Sequence, residues 1–81
     1  MGVIVDFETE RFVREADDEL LYSLYLMRCS RVGALIAFMN FSDIHEIGEE
    51  TLAVAIDAEV RRRAQRGAGW AEELLIEEAR L

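Results

Sequence analysis

Residues 20–41, LLYSLYLMRCSRVGALIAFMNF, decide how this chain must fold. Sixteen of these 22 residues are apolar, none is acidic, and Arg28 and Arg31 carry the only charges. All 17 acidic residues of the chain lie outside the window. In a protein of 81 residues such a segment has to be covered, either by its own short flanks or by another chain.

The segment is long enough for a bilayer, which takes about 20 residues. Each arginine near its centre, however, costs roughly 2.5–3.5 kcal/mol on insertion scales. Ser23, Ser30 and Asn40 add to that penalty, and acidic flanks on both sides leave no basic anchor. No membrane span is expected. The apolar start Gly2-Val3-Ile4-Val5 stops at Asp6, too short for a signal peptide. Cys29, the single cysteine, leaves no intramolecular disulfide and no cysteine-rich metal site. The expected location is the cytoplasm.

Charge divides the chain into blocks. Residues 1–19 carry a net −5, residues 20–41 carry +2, and residues 42–60 carry −6. The cluster Arg61-Arg62-Arg63-Ala64-Gln65-Arg66 restores +4, and residues 67–81 return to −3. The total of −8 repels nucleic acid and anionic lipid, and it suits a partner with a basic face. At 52% hydrophobic and without proline, the chain is too apolar to be disordered, and it is short enough to be one domain over 1–81.

The apolar positions Phe12, Val13, Ala16, Leu20, Leu21, Leu24 and Met27 recur at spacings of three and four, as in a helix. The pattern continues through Val32, Leu35, Ile36 and Met39. One helix from about residue 9 to 40, or the same helix broken near 30–33 where Gly33 weakens it, is expected. A second helix follows, with Asp43-x-x-Glu46 at capping-box spacing and Gly48 interrupting its start. Its face Leu52, Ala55, Ile56, Glu59, Val60, Arg63, Ala64 runs to Gly67, a left-handed cap. A third, acidic helix begins at Trp70. The expected fold is therefore mostly α, about three helices with an extended N-terminal arm or strand over 3–7. The rival is a small α/β domain with strands near 3–7 and 32–41.

On a helical wheel residues 20–41 show no clean polar face. Two short flanking helices hide one side of such a segment and leave the other bare, and a bare apolar side in a small protein marks an interface. Self-association is expected through Leu21, Tyr25, Val32 and Ile36. A second protein is expected to meet Trp70, Glu72 and Glu73, together with Tyr22 and Tyr25, because aromatics concentrate in binding hot spots and acids steer basic partners.

Three functions compete on these residues. The first is a protein–protein interaction or inhibitor module, without catalysis or cofactor. The second is an acidic mimic of nucleic acid, of the phage anti-defence kind, that blocks a basic nucleic-acid-binding protein. The third is a metal-dependent site at His45 with Asp43, Glu46, Glu49 and Glu50, where His45–Glu49 and Glu46–Glu50 share helix faces. No second histidine exists to support it, and carboxylates at a helix start favour the helix dipole without any metal. The arginine cluster lacks interleaved aromatics and sits where cations complement a helix C-terminus. Asp57 with Arg61 and Glu59 with Arg63 are spaced to pair. Cys29 lies in the apolar arc as a small hydrophobe. The interaction module is the preferred reading.

Overall fold

A computed structural model describes residues 7–29 and 32–80 of the protein. They form five helices: α1 (Phe7–Glu15), α2 (Asp18–Cys29), α3 (Val32–Ile44), α4 (Glu49–Gln65) and α5 (Gly69–Arg80). The expected count of three is too low because residues 9–40, expected as one helix or as one broken near 30–33, are divided among α1, α2 and α3, with α2 ending at Cys29 and α3 beginning at Val32 beside the expected break. The α/β alternative fails as well. Residues 32–41 are helical, Phe7 already belongs to α1, and no strand occurs among the described residues. Helix formers such as Leu35, Ala37 and Met39 outweigh the few β-branched residues there. The remainder of the expected arm, residues 3–6, lies outside the described residues.

The first division falls at Asp17. Its carboxylate oxygen Oδ1 accepts the backbone N–H of Leu20 at 2.8 Å, which is the geometry of a helix N-cap. Asp18 and Glu19 occupy the first turn of α2, where the helix dipole favours negative charge. Behind it, the N–H of Ala16 closes α1 onto Phe12 and Val13. The sequence 15–19 thus ends one helix and starts the next.

Glu46 reverses another expectation. It lies in the left-handed region at φ 55°, with its N–H bonded to the carbonyl of Asp43 and that of Ile47 bonded to Ser42 at 2.9 Å. This is a Schellman-type ending for α3, so Asp43 and Glu46 close one helix and do not cap the next. Gly48 is the N-cap of α4 and makes no side-chain capping bond. At the far end of α4, Gly67 takes φ 94°, and Ala68 N–H reaches the carbonyl of Arg63 at 3.0 Å. This is the left-handed cap expected from the sequence.

α4 is the centre of the fold and packs on each of the other four helices. Its stripe Leu52, Ala55, Ile56 and Val60 is buried against Val13 of α1, Leu21, Leu24 and Tyr25 of α2, Phe38 of α3, and Ala71 and Leu74 of α5. The stripe keeps the i, i+3, i+4 spacing that one face of a helix requires.

Candidate interaction surfaces

The expected self-association set separates once the core is placed. Leu21 is wholly buried and Tyr25 is 2% exposed, so both are consumed inside one chain and leave the docking set. The reason is local: with α1 ending at Glu15, α2 is free to turn its Leu21–Leu24–Tyr25 face onto α4. The Val32 side chain lies outside the described residues. Ile36 stays at the surface, 57% exposed, with Leu35 at 45% and Met39 at 41% beside it. Ala37 and Asn40 are exposed too, and Asp43 is the only charged residue in α3. α2, which packs against α3, adds Tyr22 and Leu26 as exposed apolar side chains.

A second surface forms where α2 meets α5. The rings of Tyr22 and Trp70 lie edge to face, centroids 6.0 Å apart at 73°. The Trp70 Nε1–H is buried and finds no acceptor among the described residues, so ring contacts hold the indole in place. Beside this pair, the Tyr25 hydroxyl donates to the Glu78 carboxylate. The Arg28 guanidinium sits 5.7 Å from the Tyr25 ring centroid and pairs with Asp57 of α4. Helical spacing divides the expected pair Glu72/Glu73. Glu73 shares the Trp70 face, as does Glu77, whereas Glu72 projects from nearly the opposite side of α5. All three are exposed. Glu77, at i+7 from Trp70, lies outside the expected partner-binding set.

Two arginines of the cluster, Arg62 and Arg63, are bonded within the fold. Glu59 is 3% exposed and receives Arg62 Nε on Oε1 and Arg63 Nε on Oε2, both at 2.9 Å. Arg63 then bonds Asp18 of α2 at 2.7 Å and donates to the carbonyls of Ala16, Arg14 and Val13 at the end of α1. Burial lowers the pKa of this guanidinium, but its bonds to Glu59 and Asp18 outweigh burial and raise it overall. It stays charged. Asp57, spaced for Arg61, pairs instead with Arg28.

The His45 ring lies tilted against Phe41 at 4.3 Å and Phe12 at 5.3 Å between centroids, an aromatic corner where the end of α3 meets α1. An open cleft of about 440 Å³ lies nearby, lined by Ser42, Asp43, Ile47, Gly48, Glu49, Glu50 and Thr51, and His45 is not in its wall. Among the described residues no three His, Cys, Asp or Glu side chains come together to hold a metal ion. Nor is any described helix long and apolar enough to cross a membrane. The Cys29 side chain lies outside the described residues. Comparison with protein-family models, with curated proteins and with solved structures finds no match to this chain.

Proposed function

We propose that this protein is a cytoplasmic protein–protein interaction module that works by contact, not catalysis, and self-associates through the outer face of α3. The observation that carries this reading is the exposure of Leu35, Ile36 and Met39 on a helix whose only charge is Asp43. Two copies, each at −8, repel wherever their acidic surfaces meet. The α3 face lets them approach without juxtaposed carboxylates. Each large apolar side chain fully buried there contributes about 1.5–3 kcal/mol, and a two-fold contact counts every residue twice. Leu26 of α2 supplies further apolar area toward the roughly 800 Å² per partner of a standard interface.

Light scattering on a size-exclusion column tests this directly. The expected mass is a multiple of 9.3 kDa, falling to the monomer in Ile36→Glu with the helical circular dichroism unchanged. A wild-type chain that stays monomeric at high micromolar concentration refutes the self-association.

A further inference from the structure

We infer that the seam between α2 and α5, centred on Tyr22 and Trp70, is a docking site for an arginine-bearing basic segment of another protein. The edge-to-face arrangement of the two rings offers an aromatic platform at a half-exposed position. Exposed carboxylates surround it by helical spacing: Glu73 and Glu77 at i+3 and i+7 from Trp70, and Glu19 at i−3 from Tyr22. Two nearby cations are engaged within the fold, whereas Arg61 is exposed and shares a cleft with Leu75, Glu78 and Ala79 of α5. Arg28 is tied to Asp57, and Arg63 to Glu59 and Asp18. The only cation in α5 is Arg80, at its last residue.

The combination selects the occupant by charge. A second copy of this chain would bring its own acids against Glu19, Glu73 and Glu77, so this surface and the α3 face take different partners. A guanidinium answers both features of the seam, because it stacks on aromatic faces and forks onto carboxylates, while an ammonium does only part of this. The site does not depend on self-association through α3.

The test uses the full chain and a dye-labelled nona-arginine peptide, read by fluorescence anisotropy at about 0.15 M salt, where long-range attraction is screened beyond roughly 8 Å. The paired change Glu73→Gln/Glu77→Gln should weaken binding at least about fivefold, and Tyr22→Ala by a similar factor. Glu49→Gln/Glu50→Gln removes the same charge far from the seam and should change binding less than about twofold. Equal losses from the two glutamate pairs overturn the site, because they reduce it to net charge. Equal affinity for nona-lysine overturns the role of the guanidinium. Ile36→Glu should bind the peptide as the wild type does, which keeps failure here distinct from failure of self-association.

Discussion

α3 and α4 are matched to their surroundings in opposite senses. α4 carries seven charged residues among its 17 and still supplies the centre of the core. α3 is almost uncharged, yet among its described side chains only Phe38 and Ser42 are buried. Composition would rank them the other way. What decides burial is whether apolar residues line up on one stripe, and Leu52, Ala55, Ile56 and Val60 do so while α3 is apolar around most of its circumference. A neighbour needs only one stripe to pack against. The rest of α3 has nowhere to go within one chain, which is why the interaction reading centres on it.

That contrast can be broken by mutation. The largest effect is expected at Leu52→Ala, where an enclosed side chain leaves a cavity costing about 2–5 kcal/mol, measured by urea denaturation. Arg63→Ala should follow at about 3 kcal/mol, because it leaves Glu59 buried beside only Arg62 and strips the end of α1 of its donor. Since pairing raises the Arg63 pKa, its stabilising contribution is present throughout neutral pH and is lost only as strong alkali titrates the guanidinium. Glu46→Gly should stabilise by about 0.5–1 kcal/mol, since glycine takes φ 55° without a Cβ penalty. Smallest of all, Ile36→Ala should move monomer stability by no more than about 0.5 kcal/mol. A loss there as large as that at Leu52 would mean that the α3 face is packed and not free.

Much of α4 was legible in the sequence. Its stripe, the Glu59–Arg63 pair and the Gly67 cap are all local, set by spacings of three, four and one turn. The division at Asp17 was also written there, as Asp17-Asp18-Glu19, but the apolar rhythm from Phe12 to Leu20 runs through it without changing phase. Periodicity reports a face, not a continuous axis. Asp43 and Glu46 misled for a related reason: the same acids suit a helix start or tolerate a left-handed ending, and tertiary packing chooses. Arg28 with Asp57, Arg63 with the end of α1, and Tyr22 with Trp70 join residues far apart in the chain. No spacing rule anticipates such meetings.

Trp70 is the only tryptophan, and it rests against Tyr22 at the edge of the fold and not at its centre. Its intrinsic emission therefore reports the parting of α5 from α2, while far-ultraviolet ellipticity reports the melting of the helices as a whole. A fluorescence transition that precedes loss of far-ultraviolet ellipticity would expose α5 as a separately opening unit of an otherwise cooperative chain. Coincident transitions would show that the acidic helix is bound into the same all-or-none event as the core.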